Sequence, residues 1–129
     1  MNGELLLDTN AVTGLFAGDD AIRAHVVQSS RILLSVVVLG ELYYGAQKSN
    51  RVEENIRRIS RLLAEAVVIP SDAATAHVYG MIRNELRLKG RPIPENDLWL
   101  AAVARQHNLV LVTRDSHFGY VDGLTLVSW

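Results

Sequence analysis

Four carboxylates stand at the borders of apolar segments in this chain, where an unpaired charge is expensive. Asp8 closes the run Leu5-Leu6-Leu7 and opens Thr9-Asn10, and Glu41 lies inside Val36-Val37-Val38-Leu39-Gly40-Glu41-Leu42. Asp97 precedes Leu98-Trp99-Leu100-Ala101-Ala102, and Asp115 follows Leu109-Val110-Leu111-Val112-Thr113. A carboxylate drawn toward an apolar interior needs a cationic partner or a metal ion. No basic residue adjoins Asp8 or Glu41, and the chain has no cysteine. Donors that are all oxygen favour hard ions such as magnesium or manganese over zinc.

The rest of the composition bounds what such a site can belong to. A chain of 129 residues suits one domain, 1–129, able to bury about 65–70% of its unfolded surface without staples. The absence of disulfides fits a reducing compartment. The start, Met1-Asn2-Gly3-Glu4, is acidic and leads into only three leucines, so neither a signal peptide nor a membrane span is expected. A soluble protein of the cytoplasm is the expectation. The net charge of −1 is unevenly spread, because residues 48–91 hold nine of the thirteen Lys and Arg. A basic middle beside an acidic site suits an enzyme that handles a polyanion, although solvated helix faces account for the same pattern.

Periodicity supplies the elements that must position the acids. Residues 4–8 read as a buried strand, with Asp8 or Thr9 capping a helix that carries Val12, Leu15 and Phe16. A second helix spans 20–28, and 31–35 is the next strand, with Ser35 capping a helix from Val36 to about Gln47. Residues 52–66 place Ile56, Ile59, Leu62, Leu63 and Ala66 on one face, the period of an amphipathic helix. A short strand at 67–69 and a long helix from Ser71 or Asp72 to Lys89 follow, the latter burying Tyr79, Ile82 and Leu86. After a loop over 90–96, a helix from Asp97 to about His107 precedes strands at 109–113 and near 124–128. Short Leu and Val runs separated by helices indicate an α/β fold of four or five parallel strands with helices on both faces. In such sheets ligands bind outside the carboxyl ends of the strands, the edge that Asp8 and Asp115 share. Asp97 reaches it if the loop returns there, and Glu41 if its helix leans over the sheet.

Four blocks occur in order: Asp8-Thr9-Asn10, Gly40-Glu41-Leu42-Tyr43-Tyr44-Gly45, Ile93-Pro94-Glu95-Asn96-Asp97-Leu98-Trp99-Leu100-Ala101-Ala102, and Val112-Thr113-Arg114-Asp115-Ser116-His117-Phe118. Together they resemble the PIN-domain family, most closely its VapC toxins of bacterial type II toxin–antitoxin systems, over nearly the whole chain. The resemblance implies a three-layer PIN-like fold and a catalytic quartet of Asp8, Glu41, Asp97 and Asp115, with Thr113 as the hydroxyl residue near the metal. It implies a magnesium- or manganese-dependent endoribonuclease that hydrolyses RNA. It also implies a homodimer, and a cognate antitoxin that inserts a peptide near the site, in a heterotetramer or larger assembly. Asp115 is the variable member of that quartet in the family.

Four clustered carboxylates repel, and one or two divalent ions offset the charge; with two ions, one activates water and the other stabilises the departing oxygen. No histidine base is then required. Asp8 and Asp97 are read as principal ligands, Glu41 as a ligand or water-orienting group, and Asp115 as a second-ion or outer ligand. Asp8 and Asp97 also suit helix caps, worth about 1 kcal/mol each, whereas Glu41 in mid-helix does not. Thr9, Asn10 and Asn96 could orient water, or simply make turn hydrogen bonds. His117 is a candidate phosphate contact or a surface loop residue, and Arg91 and Arg114 neighbour the ligand loops. Arg57 and Arg58 pair in sequence with Glu53 and Glu54, as on an ordinary solvated helix. Tyr43, Tyr44 and Trp99 could stack on bases, but their apolar surroundings favour core or dimer contacts.

Two other functions fit parts of the pattern. Asp8-Thr9-Asn10 after a strand also resembles the nucleophile loop of haloacid-dehalogenase-like phosphatases, yet that scheme wants an acid at position 10 and a lysine for which neither Lys48 nor Lys89 has the context. A PIN-like RNA-binding module that has lost catalysis is the other reading, and a broken quartet is its expected mark.

Overall fold

Leu5–Leu7 forms strand β1, and everything that follows is arranged around it. The computed structural model describes residues 4–29 and 31–129, so the reading of Met1 to Gly3 lies outside the described residues. In chain order the elements are β1 (Leu5–Leu7), α1 (Thr9–Phe16), α2 (Asp20–Gln28), β2 (Ile32–Ser35), α3 (Val36–Gln47), α4 (Val52–Leu63), β3 (Ala66–Ile69), α5 (Ala73–Lys89), α6 (Glu95–Gln106), β4 (Val110–Val112), a 3-10 helix (Ser116–Tyr120) and β5 (Thr125–Val127). The strands form one sheet in the order β3-β2-β1-β4-β5, and every pairing is parallel.

The order explains the layers. From β1 the chain steps outward to β2 and β3, then crosses back through α5 and α6 to reach β4 on the other side of β1. Right-handed crossovers put α1 to α4 on one face and α5 and α6 on the other. The point of reversal lies at the carboxyl ends of β1 and β4, paired in register from Leu5 with Val110 to Leu7 with Val112. Leu6, Leu7, Leu33, Leu34, Leu111 and Val112 in these strands are essentially inaccessible to water. Cover thins at the sheet edges, where Val67 and Val68 of β3 and Leu126 of β5 stand exposed.

Local signals fix most helix starts. The Ser35 hydroxyl accepts from Val38 N–H at 3.1 Å and caps α3. At α5, Asp72 accepts from Thr75 N–H at 3.0 Å while the Thr75 hydroxyl accepts from Asp72 N–H at 3.0 Å, a reciprocal capping box. Helix α5 ends at Gly90, whose φ of 67° is the left-handed conformation that glycine reaches without a Cβ penalty.

Two helix boundaries depart from the sequence reading. Helix α4 stops at Leu63, so Ala66 belongs to β3. Helix α6 begins at Glu95, with Pro94 at its N-cap position and no side-chain cap. Asp97 is therefore inside the first turn rather than a cap, because Pro94 sets the helix start two residues earlier. On α4 the expected pair of Glu54 with Arg58 is present at 3.7 Å, but Glu54 also takes Arg51 at 3.2 Å, and the described ion pairs include none between Glu53 and Arg57.

Candidate metal centre

The carboxyl end of β1 delivers Asp8, which is only 4% exposed. It caps α1 by accepting from Ala11 N–H at 2.7 Å, so capping and a functional role coincide in one residue. Burial holds its carboxyl above the ordinary carboxylate range, and repulsion from Asp115 and Glu41 adds to the rise; hydrogen bonds from Thr113 and Ala11 pull the other way. A carboxylate buried with no cation against it is a site that gains from binding one.

Glu41 reaches the same edge from the middle of α3. The Thr9 hydroxyl donates to its Oε1 at 2.6 Å, tying the first turn of α1 to α3 across 32 residues of sequence. Thr113, buried at the end of β4, accepts from Asp115 N–H at 3.0 Å. That bond turns the chain after β4 so that Asp115 faces the crevice and the 3-10 helix folds underneath, anchored by the fully buried Phe118.

Asp97 enters from the opposite layer on the first turn of α6. Burial raises its pKa, Glu41 and Asp115 raise it further, and His117 opposes the rise. The His117 ring meets two of the acids: Nε2 lies 2.8 Å from Asp97 Oδ2, and Nδ1 lies 3.8 Å from Asp115 Oδ1. Nε2 is buried and has no other partner, so Asp97 is the group it faces most closely. One ligand atom each from Asp97, Asp115 and His117 lies within 4.8 Å of the others. Asp8 and Glu41 flank this trio closely enough to repel it.

The remaining candidates separate. His117 is not a loop histidine on the surface: its side chain is 25% exposed and belongs to the acidic cluster. The signal for this was its place two residues after Asp115, which a single 3-10 turn folds back. Thr9 and Thr113 both touch acids. Asn10 is exposed at the edge of the site. Arg91 lies over the Tyr120 ring, 4.9 Å from its centroid, at the last residue of the 3-10 helix that carries His117. Arg114 is not a free cation, because it bonds Asp19 Oδ2 at 3.1 Å and donates to the Trp129 carbonyl. Tyr43 and Tyr44 are exposed and do not enter the core, whereas Trp99 stacks on Tyr79 at 4.0 Å between α6 and α5.

A parallel α/β sheet whose reversal point gathers acids from four separate segments defines a class, and the chain belongs to the PIN-domain family, whose pattern matches residues 5–124. Among characterised proteins it is 36% identical to the tRNA(fMet)-specific endonuclease VapC of Shigella flexneri, covering 98% of each chain, and 34% identical to ribonuclease VapC1 of Haemophilus influenzae strain R2866, covering 96% of each. Its fold superposes on the DNA-bound VapBC structure of Salmonella typhimurium with a TM-score of 0.91, at 30% identity over 99% of each chain. Rickettsia felis VapBC2, bound to a DNA fragment from its promoter, gives 0.90 at 32% identity, covering 97% of this chain and 98% of that one. This membership removes the dehalogenase-like scheme, whose lysine is also missing: Lys48 lies over the Tyr44 ring and Lys89 is held by Asp122 at 2.8 Å. No helix among the described residues is long and apolar enough to cross a membrane.

Proposed function

We propose that this chain is a magnesium- or manganese-dependent endoribonuclease, the toxin of a toxin–antitoxin pair acting in the cytoplasm, with residues 1–129 as its single catalytic domain. The observation that carries this reading is the gathering of acids at one edge of the sheet, with Asp8 buried and Asp97 half-buried, both with pKa values raised by desolvation and by the neighbouring acids. The nuclease names of its relatives and the VapBC assemblies of its structural neighbours support it.

Asp8, Glu41, Asp97 and Asp115 would hold the cation, a donor set of carboxylate oxygens that fits a hard divalent ion. When bound, such an ion lowers the pKa of water and offsets charge on a phosphodiester in displacement. The chain's own residues supply the rest. Thr9 holds one Glu41 oxygen in place and leaves the other free. Thr113 fixes the turn that presents Asp115. His117 sits between Asp97 and Asp115, with Nε2 2.8 Å from the first and Nδ1 3.8 Å from the second, and opposes the rise in the Asp97 pKa.

A cognate antitoxin and a second copy of the chain are the protein partners in this reading. Val36, Tyr43 and Tyr44 leave one side of α3 exposed and partly apolar, a surface suited to protein contact. The deciding experiment compares wild type with Asp8→Asn on total RNA, with and without magnesium or manganese. Metal-dependent cleavage in the wild type, lost in the variant with RNA binding retained, is the expected result. RNA binding without metal-dependent cleavage in the wild type would leave a silent binding module instead.

A further inference from the structure

The acids do not exhaust the crevice. A second cleft of about 240 Å³ opens on the other side of Thr113, between the start of α1, α2 and the end of β5. Its floor is apolar, made by Ala11, Ile22 and Val112, all buried in the fold. Asn10 and Thr113 give it a polar rim, and Trp129 closes one wall. That wall is held in place: the Trp129 indole stacks on His25 with ring centroids 4.9 Å apart and planes 11° from parallel, and its carbonyl accepts from Arg114.

We propose that this cleft is a nucleobase subsite, which takes a base of the RNA strand next to the bond cut at the acids. The inference rests on the ribonuclease reading. Four observations favour a base over other occupants. The cleft is smaller than the ~300–1,000 Å³ that drug-sized ligands fill, so it takes a ring system rather than a whole nucleotide. Its one cation, Arg114, is already neutralised by Asp19 at 3.1 Å, which leaves no free charge for a phosphate. An apolar floor, a tryptophan wall and a polar rim match a base, with two apolar faces and a hydrogen-bonding edge; single-stranded RNA is read by stacking on aromatic rings and by contacts to base edges. Thr113 lines the cleft and also adjoins Asp8 and Asp115, so a base seated here lies one residue from the acids.

The test uses a synthetic RNA that spans the wild-type cleavage position, and the same RNA with one base at a time removed while ribose and phosphate are kept. In the wild type, removing the base at one position beside the cut should lower kcat/KM by about tenfold or more, the usual effect of losing one base–aromatic stack. Trp129→Ala should lower kcat/KM on intact RNA by a similar factor and add almost nothing on the RNA abasic at that position. Trp129→Phe, which keeps a stacking ring, should restore most of the rate. Equal losses on intact and abasic RNA overturn the subsite, and so does a wild type indifferent to every base removal. A matching loss of antitoxin affinity would then assign the cleft to a peptide side chain. Should the wild type cut no RNA at all, the ribonuclease reading itself fails, which separates the two outcomes.

Discussion

Replacing Asp8 by asparagine removes a buried charge and nearly preserves its shape. In the metal-free protein the Asp8 carboxyl must ionise in a place that burial and two neighbouring acids make unfavourable. The asparagine carbonyl still accepts from Ala11 N–H, so the cap of α1 survives. The variant loses part of the Thr113 interaction, about 1 kcal/mol, and escapes the penalty of a buried ion, which reaches several kcal/mol. The net expectation is a gain of about 1–2 kcal/mol near pH 7, or roughly 3–8 °C in Tm for a domain of this size.

The sign with pH follows from the raised native pKa. Below the unfolded value, about 3.9, both states bind the proton and the two proteins should melt alike apart from the lost contact. As pH rises through the native pKa of Asp8, the wild type loses stability that the variant does not lose. Saturating magnesium or manganese should reverse the order, because binding at about 100 times Kd adds roughly 2.7 kcal/mol to the wild type alone. The assay is thermal melting in chelator and in metal from about pH 4 to pH 8. A variant that melts below the wild type by the same margin at every pH, in chelator, would falsify the electrostatic reasoning.

Other predictions follow from single contacts. Thr9→Val removes the hydroxyl that holds Glu41 Oε1 at 2.6 Å; cleavage should fall about tenfold while stability changes by no more than about 1 kcal/mol, and an unchanged rate would show that Glu41 needs no such support. Phe118→Ala empties a fully buried position beneath the acidic turn and should cost about 3–5 kcal/mol in chemical denaturation. Gly90→Ala places a Cβ at φ 67° and should cost roughly 1 kcal/mol, measurable as a lower denaturant midpoint with an unchanged m-value. His117→Gln removes the group that opposes the rise of the Asp97 pKa, so Asp97 should titrate at higher pH in carboxyl NMR of the metal-free protein.

The strands were legible because a parallel sheet buried on both faces selects continuous Leu and Val runs, and Leu5–Leu7, Ile32–Ser35 and Val110–Val112 are such runs. The acids at their carboxyl ends could be placed for the same reason. Asp97 was harder, since its position depends on how residues 90–94 return across the sheet, a matter of tertiary path. The His117 contact depended on a 3-10 turn that leaves no periodic trace in five residues. Tyr43 and Tyr44 sit in an apolar stretch, but α3 buries only Val38, Leu42 and Ala46, and the tyrosines fall outside that stripe. The pairing that removes Arg114 from the free cations joins residues 95 positions apart, a distance over which sequence spacing says nothing.

The order of the sheet has a consequence for the cell that makes this protein. Strand β1 is synthesised first, yet it lies between β2 and β4, and its β4 partner is Val110–Val112. Until those residues leave the ribosome, Leu5 to Leu7 lack their second neighbour, and Thr113, Asp115 and His117 do not yet exist beside Asp8. Long-range pairing of this kind forms late in folding. A polypeptide that stops before position 110 lacks β4 together with Thr113, Asp115 and His117, so it holds Asp8 beside only part of the acidic cluster and leaves one flank of β1 without its strand neighbour.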